Sequence, residues 1–76
     1  MPLDRKDLLL LAELQRDGRV ANSALAARVG LSESACLRRV RLLEEQGYIE
    51  RYVAVLNAAK LGIAGAPSAA ALDALD

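Results

Sequence analysis

The sequence predicts a mainly α fold: three short helices followed by an extended segment. Three observations lead there. The 76 residues include no Phe, no Trp and only two Tyr, yet 54% are hydrophobic. The core must then be built from Leu, Val, Ile and Ala, whereas sheets usually recruit aromatic and β-branched residues. Leucines recur at helical spacing in runs closed by Gly18, Gly30 and Gly47. Beyond Gly47 the pattern changes to YIERYVAVLN, rich in Tyr, Ile and Val.

The first helix is expected over residues 5–16. Asp4 is its N-cap, and Asp7, three residues on, stands where a capping-box acid would. Asp7, Leu10, Leu11 and Leu14 share one helical face, Leu9 points away from it, and Gly18 is the stop signal. The second helix is expected over 22–29, with Leu25, Ala26 and Val29 inward and Val20 packing back on it. Gly30 ends it, because glycine takes the left-handed conformation of a tight exit. Leu31 is then a buried anchor and Ser32 the N-cap of a third helix reaching about Gln46. Two helices joined around Gly30 form a helix-turn-helix. Residues 48–57 read as extended, as a strand or a hairpin turning near Glu50-Arg51. Residues 57–62 suggest a turn or a single helical turn, and the alanine-rich stretch 63–76 a loosely ordered tail.

Composition removes several function classes. Ten Lys and Arg balance ten Asp and Glu, and there is no histidine. Without histidine neither a Ser-His nor a Cys-His pairing is available, and zinc lacks its commonest nitrogen ligand. No enzyme activity, cofactor or metal is therefore expected. The lone Cys36 cannot close an internal disulfide. No signal-peptide pattern is evident, and no apolar run approaches the roughly 20 residues that span a bilayer. A cytoplasmic, membrane-free location follows as the expectation.

Neutral overall, the chain concentrates positive charge in its middle. Residues 18–47 carry five bases against three acids, and Arg38, Arg39 and Arg41 fall within four residues. On a helical wheel centred on Val40, Cys36, Leu37 and Leu43 form an apolar face. Arg38 lies opposite, flanked by Ser34, Ala35, Arg39 and Arg41. Cys36 is thereby a packing residue, and Leu42 falls on the exposed side. Such a face either keeps the domain soluble or reads a DNA major groove, which admits one α-helix and offers guanine O6 and N7 to arginine. Its place on the second helix of a helix-turn-helix favours DNA. The N–H groups near Ser32 suit a phosphate.

The run of Leu3-Asp4-Arg5, LAELQRDGRVAN and LAARVGLSESACLRRVRLLEEQGYIERYVAVLN resembles the N-terminal part of the leucine-responsive/asparagine-regulator (Lrp/AsnC) transcription regulators over about residues 3–62. The resemblance implies a winged helix-turn-helix that binds double-stranded DNA as a homodimer with its third helix in the major groove. Carried over by position, 22–41 is the helix-turn-helix motif and 48–57 a wing or hinge strand; the chain then divides into a DNA-binding domain over 3–47, that segment, and an alanine-rich, loosely ordered tail over 58–76. Ser32, Ser34, Arg38, Arg39 and Arg41 are the implied DNA contacts.

Some positions depart from the family pattern. Lys6 replaces an apolar residue, which would weaken packing of the first helix. Ala21 replaces a capping serine, leaving Asn22 to cap the second helix, and Glu33 would repel a nearby phosphate. The stretch after Gly62 lacks the strand pattern of the family's effector-binding domain, as in a fragment or a naturally short module. No amino-acid effector is expected in this chain, and the dimer should be weak. The competing reading is a protein-interaction module, or vestigial regulator fragment, that no longer binds DNA.

Overall fold

The computed structural model describes residues 2–62, which contain four helices: α1 Arg5–Arg16, α2 Asn22–Val29, α3 Glu33–Glu45 and the short α4 Ala58–Leu61. Of the tail expected over 58–76, the first residues form α4, the single helical turn expected within 57–62, and residues 63–76 lie outside the described residues.

Each helix starts and stops for a local reason. At α1, Asp4 Oδ1 accepts the Asp7 N–H at 2.9 Å, and Asp7 Oδ2 accepts the Asp4 N–H at 3.2 Å. This reciprocal capping box satisfies two amide donors that a helix start leaves unpaired. At α3, Ser32 Oγ accepts the Ala35 N–H at 3.2 Å. At α4, Asn57 Oδ1 accepts the Lys60 N–H at 3.0 Å. The start of α2 differs from expectation. Ala21 is its N-cap and supplies no side-chain bond, while Asn22 reaches forward instead, donating to the Glu33 carbonyl at 2.9 Å. Asn22 thus forgoes capping its own helix and ties that helix to the start of α3.

The exit of α2 sets the angle of the helix-turn-helix. Gly30 adopts φ 73°, and the Leu31 N–H turns back to the Ala26 carbonyl at 2.9 Å. Lys6 of α1 donates its Nζ to the Val29 carbonyl, placing a cation at the negative end of the α2 dipole. The residue that seemed to weaken α1 packing therefore joins α1 to the end of α2. Glu13 adds a second tie, accepting Arg28 Nη1 of α2 at 3.2 Å as well as Arg16 Nη1 at 3.3 Å.

The core between the three longer helices is small. Leu10, Leu25, Ala26, Val29, Cys36 and Leu43 are buried, with Leu3, Leu11, Leu14, Val20, Leu31, Val40 and Ile49 packed around them. Each fully buried leucine is worth roughly 2–3 kcal/mol of transfer free energy. Ile49 reaches this core because Gly47, at φ 81°, reverses the chain, and the Tyr48 and Ile49 N–H groups return to the Leu43 carbonyl.

No strand forms among the described residues, including the 48–57 segment expected to supply one. A strand needs a neighbour to exchange backbone hydrogen bonds, and the three helices offer no sheet edge. The segment is held at one end only. The Tyr52 ring lies over Gly18, where an added Cβ would stand 3.3 Å from its Cδ1. Beyond it Val53, Val55 and Leu56 are exposed, Val55 at 97%.

Gly30→Ala is expected to lower unfolding stability by about 1–2 kcal/mol, the cost of a left-handed non-glycine residue. Its Cβ would also stand 2.9 Å from Lys6 Nζ. Urea denaturation followed by circular dichroism tests this; unchanged stability would mean that the α2–α3 turn relaxes to another conformation.

Candidate nucleic-acid interface

Two contacts from α1 fix how α3 lies. Arg39 Nη1 donates to Asp4 Oδ1 and Oδ2 at 2.8 and 2.7 Å, and to Asp7 Oδ1 at 3.3 Å. Asp7 is only 4% exposed, so its carboxylate leaves water and is compensated by the Asp4 amide and the Arg39 guanidinium. The capping box of the first helix is thereby also the docking point of the third. Arg39, expected on the exposed side with its neighbours, is half-buried instead, its side chain 29% exposed.

That contact turns α3 relative to the wheel centred on Val40. The buried side is centred near Cys36 and Leu43, with Arg39 and Val40 flanking it, a rotation of about 50° at 3.6 residues per turn. Two leucines exchange places in consequence. Leu42, expected outside, is half-buried in a shallow cleft lined by Pro2, Asp4, Arg38 and Arg39. Leu37, expected inside, is 40% exposed.

The outward side of α3 now carries Ser34, Leu37, Arg38 and Arg41, all exposed and spaced i, i+3, i+4, i+7 along one stripe. Arg16, Arg28 and Arg39 take part in ion pairs among the described residues; Arg38 and Arg41 do not, and neither do Arg5, Arg19 and Arg51 outside α3. At the head of the stripe the Ser32 and Ser34 hydroxyls stand 3.4 Å apart. Of the five residues singled out from the sequence, the structure gathers Ser32, Ser34, Arg38 and Arg41 on one surface and turns Arg39 to α1. Sequence reasoning missed the Arg39 pairing and the Lys6 tie. The signal lay in Asp4 and Asp7 being acids three apart, and in a lysine standing where an apolar residue was expected.

Cys36 is fully buried, and burial raises its thiol pKa. A protonated, enclosed thiol is a poor nucleophile, which agrees with a packing role.

The winged helix-turn-helix DNA-binding family matches residues 3–50. The chain belongs to that family. Within it, the leucine-responsive regulatory protein of Rhizobium meliloti (strain 1021) is 58% identical over 60 residues, which cover 79% of this chain and 38% of that protein. Among solved structures, a transcriptional regulator of Neisseria meningitidis in complex with L-Met matches with a TM-score of 0.77 at 42% identity, covering 79% of this chain and 39% of that one. An AsnC family transcriptional regulator of Agrobacterium tumefaciens matches with a TM-score of 0.75 at 44% identity, covering 78% and 39%. This winged helix-turn-helix chain thus spans about two fifths of the length of these relatives and resembles the N-terminal part of the Lrp/AsnC regulators. No helix among the described residues is long and apolar enough to cross a membrane.

The Arg39 guanidinium, and after it the Asp7 backbone N–H, hold the Asp4 carboxyl below its ordinary pKa. A carboxylate with a depressed folded-state pKa contributes stability that is present above its unfolded value and lost as pH falls through the folded one. Asp4→Asn keeps a capping side chain but removes that charge. Thermal denaturation should therefore show wild type losing stability more steeply than Asp4→Asn as the pH falls from about 5 to about 2. Parallel profiles would disprove the ion pair in solution. At neutral pH, Asp7→Ala should cost about 1–2 kcal/mol, from the orphaned Asp4 amide and the lost Arg39 contact, while the Asp4 cap on the residue-7 N–H is kept.

Proposed function

We propose that the chain is a sequence-specific DNA-binding transcription regulator that sets α3 in the major groove as one half of a homodimer. The observation that carries this reading is the α3 stripe, where Arg38 and Arg41 are exposed beside Ser34 and have no ion pair among the described residues. A groove supplies both phosphates and guanine edges for them. The similarity to regulators named for transcription supports the same reading.

In this arrangement Ser32 and Ser34, at the α3 N-terminus, donate to a backbone phosphate, where the helix dipole also favours an anion. Arg38 and Arg41 reach base edges or flanking phosphates. Arg39 acts by orienting α3 through Asp4 and Asp7. Glu33 is exposed at the first turn of α3 and limits how closely a second phosphate can approach there.

The homodimer rests on a separate observation. Residues 53–57 run without secondary structure, with Val53 and Val55 among the most exposed apolar side chains described. An unpaired apolar extended segment is a template for pairing with another chain. A second copy doubles the DNA contacts and fixes half-site spacing. A pure interaction module would use the same segment, and duplex binding separates the two readings. Regulation by an amino acid belongs to no site in the described residues, and none is proposed.

The test is fluorescence anisotropy with duplexes selected from a random library, over a range of salt concentrations. Affinity should fall steeply with salt, because each neutralised phosphate releases counterions. Arg38→Ala and Arg41→Ala should each either flatten the log–log slope by about 0.9, if they meet phosphate, or lose about 1–3 kcal/mol for the selected sequence, if they meet a base. Equal binding by wild type and both variants at low salt would dismiss the α3 stripe as the interface.

A further inference from the structure

Leu37 is the exposed large apolar residue on α3, and it lies within the arginine stripe. Its neighbours one turn away are Glu33, Ser34, Val40 and Arg41; of these only the half-buried Val40 is apolar, and 40% of Leu37 stays exposed. The other exposed large apolar side chains lie elsewhere: Leu8 and Leu9 on α1, and Tyr48, Tyr52, Val53, Val55, Leu56 and Leu61 after α3. Its position follows from the Arg39 anchor, which turns the helix until Leu37 stands between Ser34 and Arg41.

A surface that covers Leu37 also meets Arg38 and Arg41 beside it, which have no ion pair among the described residues. Duplex DNA offers both kinds of surface within one groove, anionic phosphates or guanine edges for the arginines and the C5-methyl of thymine as an apolar patch. The seven helical steps from Ser34 to Arg41 rise about 10 Å along the helix, the length of about three base pairs at 3.4 Å each. A side chain midway along that stretch faces the middle of the contacted step.

We propose that Leu37 is a base-reading residue that packs on the methyl group of one thymine in each half-site, between the positions met by Ser34 and Arg41. This assignment rests on the DNA-binding reading above and deepens it. Arg38 and Arg41 supply affinity and orientation, and Leu37 supplies discrimination in favour of thymine at one position.

The experiment uses the full chain and the tightest duplex that it selects from a random library. Each thymine of that duplex is replaced in turn by deoxyuridine, which removes only the methyl group, and binding is measured for wild type, Leu37→Ala and Leu37→Gln. Circular dichroism checks that each variant folds, and Leu37→Gln, of similar length and on the same half-exposed site, serves if the alanine variant does not. One substitution per half-site should weaken wild-type binding about fourfold, the worth of one buried methyl-sized group. The same substitution should leave the Leu37 variants unchanged. The assignment is overturned if no thymine responds, or if the folded variants show the same penalty as wild type. Absence of any selected duplex would overturn the DNA-binding reading itself, and would be evident before a deoxyuridine is introduced.

Discussion

The bond on which the rest of the molecule depends runs from Arg39 on α3 to Asp4 and Asp7 at the start of α1. These aspartates are the two halves of a capping box, so one pair of carboxylates begins the first helix and orients the third. A buried carboxylate requires compensation, and Arg39 supplies it from a helix 32 residues away in the chain. Because an arginine interior to α3 is committed in this way, the helix cannot rotate freely about its apolar contacts. The residues left facing outward are therefore determined by an ion pair as much as by packing.

The same economy recurs at the other helix ends. Lys6 joins α1 to the last turn of α2, Glu13 joins α1 to Arg28, and Asn22 joins α2 to the start of α3. The six buried apolar residues among those described make a small core, and in a chain of this size burial leaves a narrow margin over conformational entropy. Polar ties at helix termini fix relative positions that so few side chains would leave loose. Exposed pairs such as Glu13–Arg16 contribute little. The partly buried Asp7–Arg39 contact is different because breaking it strands a carboxylate.

The helices were legible in the sequence for a physical reason: their starts and stops are local. Asp4, Ser32 and Gly30 act within four residues of themselves, and the bounds expected for α1 and α2 coincide with those observed. The face of α3 was legible only in part. A wheel weighs apolarity, so it centred the buried side on Val40 and drew Leu37 in with it. It has no means of seeing that a charged residue one step around is held by a distant capping box. The 48–57 segment shows the complementary limit. Its Tyr, Ile and Val content favours extended structure, but a strand is a property of two segments, and the second is not among the described residues.

The proposed role of Arg39, orienting α3 without itself meeting DNA, is read most directly from the salt dependence of duplex binding by Arg39→Met. Methionine preserves much of the aliphatic length while removing the charge. Binding should be weaker at every salt concentration with a log–log slope equal to that of wild type, because no phosphate contact is lost. A slope flattened by about 0.9, the signature of one lost phosphate contact, would contradict it and return Arg39 to the interface.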